Sequence, residues 1–290
     1  MAFDIDAYKA RTGRLVWDDL ELAGFARDRL PENALRCLRY MHDVEYHTVC
    51  YLRDLLLTPA HSDPVVTSFL SFWVFEEFWH GEAIAGVLDA HGEPSGEERV
   101  RKVRDALGWK DKIRPLLMTF GGWMADTDFT AVHMAWGAIN EWTTQAGYAQ
   151  LSRRAGHPVL SELLTRIMRQ EGRHIDFYSS QAKTRLGASA RARRLARMAL
   201  RRFWHPVGAG VMPPEETRFL TSYLFGDEEG GQMAERIDRR VDRLPGLEGL
   251  HLLGGAVRAG LAGEPERAGN PWVGWKRPFS GPPRSEQIPA

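Results

Sequence analysis

Cysteine is almost absent: Cys37 and Cys50 are the only two in 290 residues. Two thiols build no disulfide framework, and their 13-residue separation fits no common zinc spacing, so both read as reduced core residues. Neither sign of charge is in excess. Lys plus Arg and Asp plus Glu each total 38, which gives no global signal for nucleic acid or an anionic membrane and leaves any charged partner to a local patch. No apolar run approaches the roughly 20 residues of a membrane span. The opening MAFDIDAYKARTG carries acidic residues where a signal peptide needs a basic start and an apolar core. Strand alternation is nowhere sustained. These absences leave a soluble, cytoplasmic, all-α protein, and 43% apolar residues suffice for one sizeable core.

Four long segments carry apolar residues at helical spacing without internal proline, at roughly 33–57, 64–91, 127–154 and 158–185. TPAHSDP joins the first pair and RAGHP the second, and connections this short make sequential helices antiparallel neighbours. The stretch 92–126 between the pairs is longer and reads as one or two short helices forming a crossover, a known four-helix-bundle topology. An Arg-rich helix at about 188–204 follows, then a helix starting near Pro214 and weaker helical patterns to about 260. One domain over 1–262 is expected. From Gly263 the chain is rich in Pro, Gly and charge and reads as a flexible tail.

Glu-x-x-His occurs as Glu77 and His80 in FEEFWHGEA and again as Glu171 and His174 in RQEGRHIDF. The i, i+3 spacing puts both side chains of each pair on one helix face, within reach of the same metal. Alone the motif is weak: 21 Glu and 10 His predict about 0.7 chance matches. A third match, Glu248 and His251, sits among Pro and Gly and reads as such an accident.

Placement separates the first two from the third. Each lies mid-segment and is preceded by a helix with a lone Glu at its own middle, Glu45 and Glu141. Glu45 and Glu77 are 32 residues apart, Glu141 and Glu171 are 30 apart. Two antiparallel half-helices and a short loop return the second residue to the height of the first. Glu45 shares a stripe with Leu38, Met41, Val49 and Leu52; Glu77 with Leu70 and Trp73; Glu171 with Leu160, Leu164, Ile167 and Tyr178. Buried carboxylates are costly unless paired or metal-bound. No inward Lys or Arg matches these four, and two divalent ions would offset them; oxygen-rich ligands with two nitrogens suit iron, or manganese, better than copper or structural zinc.

The order Glu, Glu-x-x-His, Glu, Glu-x-x-His resembles the ferritin-like di-iron carboxylate superfamily. Within it, EEFWHGEA is similar to the Glu-Glu-Asn-Arg-His-Gly stretch of soluble acyl-acyl-carrier-protein desaturases, and QEGRHIDFY to their Asp-Glu-Lys-Arg-His segment. The resemblance covers about 33–185. It implies ligand roles for Glu45, Glu77, His80, Glu141, Glu171 and His174, two iron ions with O2 as co-substrate, a ferredoxin-type electron donor and a homodimer. It also implies that Thr144, one turn after Glu141, acts in oxygen activation; the other reading is a core threonine bonded to its own helix. Trp79 stands where the family has Arg and Gln170 where it has Asp, so the surroundings of the metals differ. Relatives that oxygenate aryl amines add a His one turn before the last Glu, where this chain has Ile167.

Other features stay open. His42 is either a partner of the site or a core histidine, and His47 points elsewhere. Phe72, Trp73, Phe75, Phe78, Trp79, Trp136 and Trp142 either only pack the core or wall a dry substrate cavity. Arg194, Arg197 and Arg201 share a helix face that is either solvated or docks an acidic carrier protein. No nucleic-acid module is recognisable. The expected activity is O2-dependent oxidation of an unactivated C–H bond in an acyl or similar apolar chain, by desaturation or hydroxylation. Oxygenation of a specialised metabolite and iron binding without turnover are the alternatives.

Overall fold

The computed structural model describes residues 3–107 and 127–263. Every regular element among them is helical: α1 Ile5–Arg11, α2 Glu32–Leu56, α3 Pro64–Ala90, α4 Gly96–Leu107, α5 Thr127–Ala155, α6 Pro158–Ala188, α7 Ala190–Phe203, α8 Pro214–Phe225, α9 Glu228–Val241 and α10 Leu252–Leu261, with short 3-10 turns at Leu22–Ala26 and Pro59–Ser62. The four expected long segments are α2, α3, α5 and α6. The second half of the expected crossover and nearly all of the tail, 108–126 and 264–290, lie outside the described residues. No described helix is long and apolar enough to cross a membrane.

Local chemistry sets the boundaries of the long helices. Asp63 caps α3 by accepting from the amides of Val65 and Val66, with Pro64 in the first turn; proline has no N–H to lose there. Gly156, at φ 62°, ends α5 in the left-handed region, and Pro158 opens α6 two residues later. Such tight connections make α2 and α3, and α5 and α6, packed antiparallel pairs. The pairs face each other through α2 with α5 and α3 with α6, so four helix faces converge on one interior.

α5 is the most enclosed helix, packing against α6 on one side and α7, α8 and α9 on others. Its small residues Ala131, Ala135, Ala138 and Ala146 are buried, and this many neighbours explains why its apolar residues form no single stripe. α1 packs on α3, and α8 also reaches α2. The helix from Ile5 to Arg11 was not expected from its polar sequence. Val49, expected on the inward stripe of α2, is 47% exposed; each i to i+4 step overshoots a full turn by about 40°, so two steps beyond Met41 carry it off the seam.

Gly137 has a packing reason to lack a side chain. A Cβ there would come within 2.3 Å of Cδ1 of Tyr178, a fully buried ring. Gly137→Ala is expected to cost about 1–3 kcal/mol by overpacking, read as a lower denaturation midpoint; an unchanged midpoint would mean that the ring shifts freely.

Candidate metal centre

Six buried side chains from four helices meet at mid-height. Glu45 comes from α2, Glu77 and His80 from α3, Glu141 from α5, and Glu171 and His174 from α6; their exposures run from 0% to 6%. One donor atom each of Glu45, Glu77, His80 and Glu171 lie within 4.8 Å of one another, as do those of Glu77, Glu141, Glu171 and His174. Glu77 and Glu171 belong to both groups. Oxygen and nitrogen ligands sit about 2.0–2.2 Å from a transition-metal ion, so opposed ligands are some 4 Å apart and each group is of a size to hold one ion. Sharing Glu77 and Glu171, the two groups could together hold a pair of ions.

No family model, curated protein or solved structure matches this chain. The site is therefore read from its own atoms.

Both imidazoles aim Nδ1 at the middle. His174 Nδ1 is 3.0 Å from Glu171 Oε2 and 3.1 Å from Glu77 Oε1. His80 Nδ1 stands 3.4 Å from both Glu77 Oε2 and Glu171 Oε1. His80 Nδ1 and Glu171 Oε1 are buried without a hydrogen-bond partner. Unpaired polar atoms in a protein interior are rare and costly, and two of them turned to one point fit a cation there.

The outer nitrogens define the tautomers. His174 Nε2 donates to Glu76 Oε2 at 2.8 Å, an acceptor-only group when ionised. His80 Nε2 meets Gln170 Oε1 at 2.9 Å, and the Gln170 amide nitrogen donates to Gly13 O at 3.1 Å, which turns the amide oxygen toward the ring. Each imidazole thus carries its proton on Nε2 and leaves the Nδ1 lone pair for a metal. The outer carboxylates are oriented too: Tyr148 donates its hydroxyl to Glu45, and Trp73 Nε1 donates to Glu141 Oε1 at 3.1 Å.

Four of these supporting residues, Tyr8, Glu76, Tyr148 and Arg173, were not among the sequence candidates. Tyr8 donates to Glu76 Oε2 at 2.9 Å, and Arg173 is ion-paired to Glu76. Tyr148 was findable, because Glu141, Thr144 and Tyr148 follow at i, i+3 and i+7 on one face of α5.

Thr144 lines an apolar cavity together with Glu45 and Tyr148. The cavity has a volume of about 50 Å³ and opens toward solvent, and its far wall is Leu220, Leu224 and Phe225 of α8 with Leu253 of α10. Thr143, not Thr144, bonds back to its own helix, at Ile139 O. None of the seven aromatic residues considered as a cavity wall lines it; Phe75 and Phe78 are 42% and 45% exposed on the outer face of α3.

Other candidates fall elsewhere. His42 is buried between Asp43 and the amide of Gly96, outside both groups. Glu248 and His251 lie in the turn before α10, with Glu248 accepting from Gly246 N and His251 in a left-handed conformation. Arg197 donates to the carbonyls of Gly246 and Glu248, so the expected basic face of Arg194, Arg197 and Arg201 is interrupted at its middle.

Electrostatics describe what a cation would replace. Burial first, then repulsion from Glu77 and Glu171, holds Glu45 well above the usual carboxylate range; burial, Glu171 and Glu77 do the same to Glu141. Burial also pushes Glu77 and Glu171 up, but the imidazoles beside them override it and hold both low. Burial alone would depress His80, yet Glu171 and Glu77 raise it to about 9, and His174 is raised likewise. Without a cation, protons on Glu45, Glu141 and both imidazoles therefore neutralise the cluster.

A raised folded-state pKa contributes stability that is complete below the unfolded value and lost as pH climbs through the folded one. For His80 that window runs from 6.5 to about 9. Chelator-treated protein should lose thermal stability across it. Protein loaded with a divalent ion should gain affinity over the same range, because each ion displaces protons. Melting curves with and without metal at pH 6.5 and 9 check this; parallel curves would contradict it.

Proposed function

We propose that this chain is a ferritin-like di-iron carboxylate enzyme that oxidises an unactivated C–H bond of an apolar chain with O2. The observation that carries the reading is two four-donor groups sharing Glu77 and Glu171, with Glu45 of one group lining an apolar cavity. Four carboxylates and two imidazoles favour iron over structural zinc or copper, with manganese the nearest competitor. A di-iron pair supplies two-electron oxidation by O2 when bound. Desaturation consumes O2, two electrons and two protons and releases two waters; hydroxylation consumes the same and releases one water and the alcohol. Both require an external one-electron donor such as a ferredoxin.

The chain's own residues have separable roles. Glu77 and Glu171 would be shared by the two ions, Glu45 and Glu141 would each serve one of them, and His80 and His174 would supply nitrogen. Tyr148, Trp73, Gln170 and Glu76 fix the directions of four of these ligands. Thr144 lines the cavity together with Glu45, and its hydroxyl would serve to pass a proton toward the site. Met41, Leu220, Leu224 and Phe225 exclude water and accept hydrocarbon. An apolar cavity against one ligand has no use in iron storage, which favours turnover over storage.

The test is anaerobic loading with Fe(II), stoichiometry, then O2 and reductant with acyl-carrier-protein, coenzyme-A-linked and free acyl substrates. About two irons per chain are expected, with product lighter by two mass units for desaturation or heavier by sixteen for hydroxylation. Glu171→Ala should abolish tight loading of both ions, whereas Thr221→Trp, which fills the cavity, should leave loading intact and cut turnover at least tenfold. Two irons without any substrate oxidation would overturn the enzyme reading and leave a metal-binding protein.

A further inference from the structure

The two ion positions have unequal support. Behind His174 stands Glu76, completely buried, accepting from the imidazole at 2.8 Å and held by Tyr8 and Arg173. Behind His80 stands Gln170, a neutral amide at 2.9 Å whose other end is tied to Gly13 O. A carboxylate oxygen draws the Nε2 proton more strongly than an amide oxygen and so makes Nδ1 the better donor. Arg173 balances the charge of Glu76 but binds Oε1, and Oε2 accepts from both the ring and the Tyr8 hydroxyl.

The outer carboxylates differ in the same sense. Glu45 receives a phenol O–H from Tyr148, and Glu141 receives an indole N–H from Trp73 at 3.1 Å. The phenol is the more acidic donor and withdraws more charge from the carboxylate it touches. Glu77 and Glu171 serve both positions and cannot distinguish them. The weaker set, Glu45 with His80, is also the one whose carboxylate lines the cavity.

We infer that the centre is graded. An ion held by Glu141 and His174 binds first and is retained, while the position of Glu45 and His80 fills second, exchanges faster and is the more Lewis-acidic. This rests on the dinuclear reading above and sharpens it: the ion that a molecule in the cavity meets is the one with the poorer donors, so an exchangeable coordination position faces the substrate and the opposite ion anchors the pair.

Co(II) is a suitable probe because its visible d–d absorption reports each site without turnover. Chelator-treated full-length protein, titrated with Co(II) under argon and followed by absorption and calorimetry, should bind in two steps about 10–100-fold apart, the usual range for loss of an outer-shell partner. His80→Ala should remove only the weak step and His174→Ala the tight one. Glu76→Gln should narrow the gap by weakening the first step. Gln170→Glu should narrow it by tightening the second; circular dichroism verifies folding, and Glu76→Gln, which keeps the ring's acceptor, serves where Gln170→Glu does not fold. Two equal steps in the parent protein, a gap unmoved by Glu76→Gln, or loss of the tight step in His80→Ala would overturn the gradation. Failure to bind any Co(II) would instead overturn the dinuclear reading itself.

Discussion

Four buried carboxylates share one interior, and the rest of the molecule is arranged around that fact. Burying an uncompensated carboxylate costs several kcal/mol even after relaxation, so positive charge must enter with them. The two imidazoles supply at most two charges, and among the described residues the ion pairs of Glu77 and Glu171 are with these imidazoles alone. The two outer carboxylates must therefore keep their protons or meet cations, and their upward displacement expresses that choice. Mid-helix placement follows from the same constraint: helix ends leave backbone groups unpaired, while helix centres offer rigid scaffolds with no polar backbone to compete for the ligands.

The site is two copies of one device facing each other. Each antiparallel pair contributes a lone Glu from its first helix and a Glu-x-x-His from its second. The residue before each of Glu77 and Glu171 then crosses to the opposite imidazole: Glu76 on α3 serves His174 on α6, and Gln170 on α6 serves His80 on α3. Neighbouring residues on a helix differ by about 100° in direction, so one position reaches the metals while the one before it reaches the facing helix. Each half thereby orients the other, and a register slip between the pairs would disrupt both imidazoles together.

That geometry explains what was legible in the sequence. A helix rises uniformly, so separations of 32 and 30 residues across short loops convert directly into equal height, and the meeting of these six side chains at one level was legible from spacing. Helix boundaries marked by Pro64, Gly156, Pro158 and Pro214 were legible for the same local reasons. Tyr8 was not, because it lies on a seven-residue helix with no apolar period and meets Glu76 across 68 positions. The cavity was equally hidden. Its walls come from α2, α5, α8, α10 and the segment around Pro206, and only tertiary docking brings these together. The aromatic residues that drew attention as a wall are spent on packing or lie at the surface, since helical spacing assigns a face but not the neighbour that covers it.

Trp79 and Gln170 have a common physical account. In the repeated segments Glu76-Glu77-Phe78-Trp79-His80 and Gln170-Glu171-Gly172-Arg173-His174, the first and fourth positions correspond. In one combination the buried acid Glu76 is neutralised by Arg173. In the other, the positions hold an amide and an indole, so no acid is present that an arginine would need to balance. Changing only one member would strand a charge: an acid at 170 without its arginine, or an arginine at 79 without its acid. Replacing both keeps the interior neutral at the cost of one strong acceptor behind His80. The ring of Trp79 instead lies under the Arg14 guanidinium, 5.0 Å from its centroid, and beside Trp17, which binds the N-terminal segment to α3. One half of the centre thus carries an ion pair where the other carries packing.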